Sequence, residues 1–274
     1  MSSIAISTPI SSSSLRWTLA DGWSITIRAL QQWIRQPGAI IIGLLFPIMM
    51  VLMNAYIYGG SIQLPEGGDY KSFLMPGMFA LTMMFGVEST AIAMHTDSVK
   101  GVTDRFRSMP MAPSAVVLGR AIADMIYSAA QLIIMVSCGL IVGWRWNNGF
   151  TKALLAFGLL LLLRFAVVWL GVYLGLILKS PESVSGLSIL IWPFGMLSSA
   201  FVSPQNMPRG LEIFADCNPL SSTAAAVREL CGNPGVGSGS WITDNPILMA
   251  IAWPLAIIAI FFPLSIRAYR SLGS

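Results

Sequence analysis

The chain has 274 residues, and its reactive groups are few: one histidine, three cysteines, 16 Lys and Arg and 12 Asp and Glu. A general base or metal site built on His95 needs partner groups, and none stands near it in sequence, so a local structural role is the simpler reading. Cys138, Cys217 and Cys231 form no C-x-x-C pair and no Cys/His cluster, so no metal site is assigned. No Gly-Lys dipeptide occurs, so the chain lacks the loop that cradles nucleotide phosphates. No catalytic residue is assigned and no cofactor is expected on this chain. If ATP drives the process, ATP and Mg sit on a partner polypeptide.

Four ionisable residues fall within or at the ends of apolar stretches: Glu88, Arg120, Asp124 and Arg164. Arg120 and Asp124 are four apart and can pair on one helix face. Glu88 and Asp124 each lie six residues from the same end of their stretches, roughly 9 Å deep at 1.5 Å per residue. An ionic cluster near the cytoplasmic base is expected, either anchoring the bundle or gating a substrate. Arg164 lies nearer mid-membrane, and the sequence names no partner for it.

The elements that position these groups follow from composition. Only 10% of residues are charged, 55% are hydrophobic and the mean hydropathy is +0.73. A soluble domain averages about 25% charged residues, so a water-soluble enzyme is excluded and an all-α integral membrane protein is expected. Six stretches are long enough to cross a bilayer as helices: 39–58, 73–94, 118–142, 154–178, 184–201 and 247–266. On one side stand Arg16, Arg28, Arg35, Lys100, Arg105, Arg107, Arg120, Lys179, Arg267 and Arg270. The other side holds only Lys71, Arg145, Lys152, Arg209 and Arg228. The excess places both termini in the cytoplasm. It also accounts for a pI near 9.1 without nucleic acid as a partner.

Residues 1–38 read as a tail and an interfacial helix, and 39–274 as the six-span domain. The first 14 residues are Ser-rich and uncharged, and no secretory signal is read there. Over 15–36, Leu15, Leu19, Trp23, Ile27, Leu30 and Ile34 share one face, with Asp21, Arg28, Gln31 and Arg35 opposite. Such a helix lies along the cytoplasmic leaflet, with Trp17, Trp23 and Trp33 at headgroup level. The fifth stretch carries Ser185, Ser188, Ser198 and Ser199 with Gly186, Pro193 and Gly195, so it is expected to bend and to face protein or a pathway. The outer loop 202–246 holds two short periodic pieces near 211–215 and 223–230, suited to surface helices or a shallow re-entrant pair. Cys217 and Cys231 lie there. Asn218-Pro219 lets the chain fold back, but one rigid helix over 223–231 holds the sulfurs apart, so free thiols are expected. Sixteen methionines suit either gap-filling or surfaces that repack around several ligands.

The cytoplasmic loop, about 95–117, reads Asp104-Arg105-Phe106-Arg107-Ser108-Met109-Pro110-Met111-Ala112-Pro113, with Leu118-Gly119-Arg120 after it. The outer loop reads Phe201-Val202-Ser203-Pro204-Gln205-Asn206-Met207-Pro208, then Asn218-Pro219-Leu220 and Val227-Arg228-Glu229-Leu230. Nearly the whole chain resembles the type-2 ABC transporter permeases, and within them the daunorubicin-resistance-like drug and lipid exporters of the bacterial inner membrane. The resemblance implies an interfacial connecting helix, six spans and two short outer helices before the last. It also implies a second permease chain, identical or a sibling, and a cytoplasmic ABC ATPase. The coupling helix that docks on that ATPase maps to about 97–113, with Asp104, Arg105, Phe106, Arg107, Met109 and Pro110 as its contacts. Spans two and five line the pathway in that family, which selects Met78, Phe79, Met83, Phe85, Trp192, Phe194, Met196 and Phe201. The expected cargo is an amphiphilic drug, lipid or glycolipid. An ion-coupled secondary transporter would need inverted repeats and mid-membrane carboxylates, and a membrane-embedded transferase would need converging catalytic groups; the sequence supports both less well.

Overall fold

The computed structural model describes residues 23, 26, 27, 31, 35, 37–58, 69–99, 113–178, 180–202, 204–235 and 239–271. Among them all regular structure is helical. In chain order the α-helices are α1 (Pro37–Met53), α2 (Tyr70–Val99), α3 (Pro113–Val142), α4 (Phe150–Ile177), α5 (Pro181–Ser185) and α6 (Leu187–Met196). They continue with α7 (Arg209–Asp216), α8 (Pro219–Cys231), α9 (Trp241–Asp244) and α10 (Pro246–Ser271). A π-helical turn, Asn54–Tyr58, extends α1, and a 3-10 turn spans Pro204–Asn206.

Among the described residues, four helices are long and apolar enough to cross a membrane: Tyr70–Val99, Leu118–Val142, Phe150–Ile177 and Pro246–Tyr269. Their burial assigns them different roles. In α2, 67% of the most apolar window is buried, against 11% in α10, so α2 is the central post and α10 turns most of its surface outward. Helix α4 fits between them. It approaches α2 at Gly171 and Gly175, where an added Cβ would stand 2.8 Å from the Val87 carbonyl and 2.6 Å from the Ala91 carbonyl. Small residues four apart let two backbones meet in this way where the hydrophobic effect does not drive helices together.

The fifth apolar stretch differs from the expected single helix over 184–201. It is two pieces, α5 and α6, joined at Gly186, and its last helical residue is Met196. The reasons are local. Ser180 caps α5 by accepting from the Ser183 N–H, and Pro181 starts it. At the other end the Ser198 hydroxyl donates to the Gly195 carbonyl and accepts from the Ala200 N–H, which favours a turn over another helical turn.

The segment between α6 and α10 folds against the bundle. Helix α8 is capped by Asn218, whose side chain accepts from the Leu220 N–H, and it ends at Gly232 in the left-handed region (φ 68°). Nine of its 13 residues are buried, packed on α2, α4 and α10. Of the expected interfacial helix, five positions are described and helical. Trp23 and Ile27 are exposed, while the buried Thr26 hydroxyl donates to the Gly119 carbonyl of α3 at 3.0 Å. The segment 100–112, with Asp104, Arg105, Phe106, Arg107, Met109 and Pro110, lies outside the described residues.

Candidate functional site

The buried charges of α2, α3 and α4 form one connected network. Arg164, 1% exposed, has no acid directly on its guanidinium among the described residues; hydroxyls receive it instead. Its Nε donates to Ser128 Oγ at 2.6 Å and its Nη2 to Thr90 Oγ1 at 3.0 Å. Thr90 in turn donates to Asp124 Oδ2 at 2.7 Å, and Ser128 donates to the Asp124 carbonyl at 2.7 Å. A hydroxyl can accept and donate at once, so Thr90 links cation to carboxylate across three helices. Asp124 Oδ1 lies 3.3 Å from Arg120 Nε, and Arg120 Nη1 lies 3.7 Å from Asp97 Oδ2. Room for the Arg164 head comes from Gly86, where a Cβ would overlap the guanidinium.

The expected four-residue cluster is therefore joined in three of its members. Arg120, Asp124 and Arg164 are linked, whereas Glu88 faces another way, its Oε1 accepting from Ser188 Oγ of α6 at 2.7 Å. Thr90, Ser128, Gly86 and Asp97 complete the network and were not among the expected residues. A trace of them is in the spacing, since Gly86 and Thr90 are four apart on α2, as Asp124 and Ser128 are on α3.

Beside this network α1, α2, α3 and α6 border an open cavity of about 570 Å³. One wall is aromatic: Phe46, Phe85 and Trp192 meet with ring centroids 5.1 to 6.1 Å apart, two of the three pairs edge to face. The other wall is polar and includes Glu88, Asp124, Arg120 and Ser188.

The expected pathway residues divide. Phe85 and Trp192 line the cavity. Met78, Phe79 and Met83 are buried in the chain's own core, with Phe79 edge-on to Trp144 at 5.1 Å. Phe194 stacks edge-on against Phe214 of α7, Met196 is exposed, and buried Phe201 accepts from the Tyr70 hydroxyl through its carbonyl. His95 is buried beside α5, in a small cavity shared with Val184 and Pro181.

A second polar centre holds the C-terminal end of α6. Arg228, counted in the sequence among the outer basic residues, is 1% exposed. Its guanidinium lies 3.8 Å over the Phe73 ring and donates to the carbonyls of Phe73 (2.9 Å), Ser199 (2.8 Å) and Ala200 (3.3 Å). Among the described residues no carboxylate pairs with it, and burial pushes its pKa down to about 9. Asn218 donates to the Phe194 carbonyl and Ser221 accepts from the Ser199 N–H, so α8 also supplies hydrogen bonds that the broken fifth stretch lacks.

Comparison with known proteins agrees with this architecture. The model of the ABC-2 type transporter family matches residues 21–231, from the described turn at Trp23 to the end of α8. The chain is 31% identical over 264 residues to the daunorubicin resistance ABC transporter permease protein DrrB1 of Streptomyces coeruleorubidus, covering 96% of this chain and 89% of that one. It is 27% identical over 228 residues to the doxorubicin resistance ABC transporter permease protein DrrB of Mycobacterium tuberculosis, covering 82% and 76%. A putative transport permease, ycf38, of Pyropia yezoensis is 26% identical over 211 residues, covering 75% and 72%. A match that takes in α1 to α8, with a relative aligned over almost the full length, places the chain in the ABC-2 type transporter family.

Proposed function

We propose that this chain is the membrane-spanning permease subunit of an ATP-driven exporter that moves an amphiphilic drug, lipid or glycolipid out of the cytoplasm or its facing leaflet. The observation that carries this reading is the cavity between α1, α2, α3 and α6, with aromatic rings on one wall and ionisable groups on the other. A pocket with both characters fits a molecule with both. The relatives' names point the same way, since two are permeases of resistance to amphiphilic drugs.

In this reading α1 and the α5–α6 pair complete six spans with the four long helices, and both termini are cytoplasmic. Two permease chains pair in the bacterial inner membrane, and each meets a cytoplasmic ATPase through the segment 100–112 between α2 and α3, shorter than the expected 95–117 because α2 runs to Val99 and α3 starts at Pro113. Closure of the ATPases on ATP draws these loops together and shifts the permease pair between two conformations. Arg120 and Asp97, one at each helix end bordering that loop, tie its movement to the buried network. The test is to purify the complex and measure ATP hydrolysis against a panel of drugs and lipids. Stimulation by amphiphiles supports the reading; hydrolysis indifferent to all of them counts against it.

A further inference from the structure

Glu88, partly buried, is the unmatched charge of the cavity lining. Asp97 and Asp124 are matched by Arg120 and Arg164, two acids against two cations. Both oxygens of Asp124 are occupied, Oδ1 by Arg120 and Oδ2 by Thr90. Glu88 has only the Ser188 hydroxyl, on Oε1, and among the described residues nothing holds Oε2. An intramembrane carboxylate without a counter-charge is costly unless water or a ligand supplies one.

The helices present this carboxylate in a definite layer. On α2, Glu88 follows Phe85 by three residues; on α6, Ser188 precedes Trp192 by four. Residues three or four apart share a helix face. The two helices therefore place an aromatic layer, Phe85 and Trp192 with Phe46 beside them, one turn from a polar layer of Glu88 and Ser188. A molecule that satisfies both layers has a flat apolar body and one positive charge about a helical turn away, and ring faces next to the carboxylate add to the attraction for a cation. The cavity, about 570 Å³, has the volume of sites that take drug-sized ligands.

We infer that Glu88 sets the charge preference of the cavity, which takes a flat, singly cationic amphiphile with its cation on the Glu88 carboxylate and its ring system against Phe46, Phe85 and Trp192. This rests on the permease reading above and adds to it a specificity-determining residue. With Asp97 included, the Arg164–Asp124–Arg120 network carries no net charge, which keeps the preference in one side chain.

The test is equilibrium binding to the purified permease of three amphiphilic dyes: ethidium (a cation), Nile red (uncharged) and anilinonaphthalene sulfonate (an anion). Wild-type protein is expected to bind ethidium well ahead of the sulfonate. Glu88→Gln, which keeps shape and can still accept from Ser188, is expected to weaken ethidium roughly ten- to hundred-fold, the size of one hydrogen bond to a charged group. The same variant leaves Nile red within about two-fold, and Glu88→Asp retains most ethidium binding. Equal losses for ethidium and Nile red would make Glu88 a structural residue and overturn the inference. So would unchanged ethidium binding in Glu88→Gln, or a wild-type cavity that favours the sulfonate or binds no dye. Failure of the permease reading itself is told apart by ATP-driven transport, which a change in charge preference at Glu88 does not abolish.

Discussion

A guanidinium buried in a helical bundle must recover the hydrogen bonds it had in water. Arg164 does so in part, through two hydroxyls on Nε and Nη2, while Nη1 has no partner among the described residues. Thr90→Val keeps the shape but removes the relay, leaving Arg164 Nη2 and Asp124 Oδ2 without partners. A loss of about 2–4 kcal/mol is expected, read as a lower unfolding midpoint in detergent, whereas Thr90→Ser restores most of it. Gly86→Ala drives a methyl into the guanidinium and is expected to be as harmful as Thr90→Val. At this scale the sequence was legible where charges are local: Arg120 and Asp124 pair as their spacing of four requires. Arg164 was not, because its partners are neutral hydroxyls on other helices and leave no charge pattern. The burial of Arg228 was hidden for a related reason, because nothing in the residues around it shows that the fold brings three carbonyls to its guanidinium.

Among the elements, the tightest contact is between α2 and α4. Gly171→Leu or Gly175→Leu would force apart backbones that an extra Cβ already crowds, so both variants are expected to be retained poorly in the membrane, with Gly158→Leu as the tolerated control because its surroundings are open. The motif Gly171-x-x-x-Gly175 was in plain view in the sequence, and the long apolar runs placed α2, α3, α4 and α10 to within a few residues. The fifth stretch was legible only as unusual. Hydropathy measures polarity and not where a chain stops hydrogen-bonding to itself, so the stop at Met196 depended on Ser198 and on contacts from α8. Helix α8 also separates two cysteines, with Cys217 preceding it and Cys231 ending it, about 18 Å apart along the axis at 1.5 Å per residue. Cys217 is exposed, while burial hides Cys231 and pushes its thiol up to about 11. An impermeant maleimide at neutral pH should modify Cys217 on intact cells and reach Cys231 only after unfolding. Modification of Cys217 solely in inverted vesicles would reverse the proposed topology.

For the whole molecule, the account joins a cavity in one half of the bundle to an engine on another chain. The segment after α2 combines Phe106 with Arg105 and Arg107 ahead of Pro110 and Pro113, a pattern suited to an apolar knob ringed by charges. A buried aromatic at an interface commonly costs about 2 kcal/mol or more on truncation, so Phe106→Ala is expected to leave the permease inserted while separating ATP hydrolysis from transport. The central claim is most directly tested in inside-out membrane vesicles holding this chain and its ATPase, by following uptake of doxorubicin. The account predicts accumulation that requires ATP, is abolished when the ATPase's phosphate-binding lysine is replaced, and is insensitive to collapse of the proton gradient. Accumulation driven by an imposed ion gradient without ATP would contradict it.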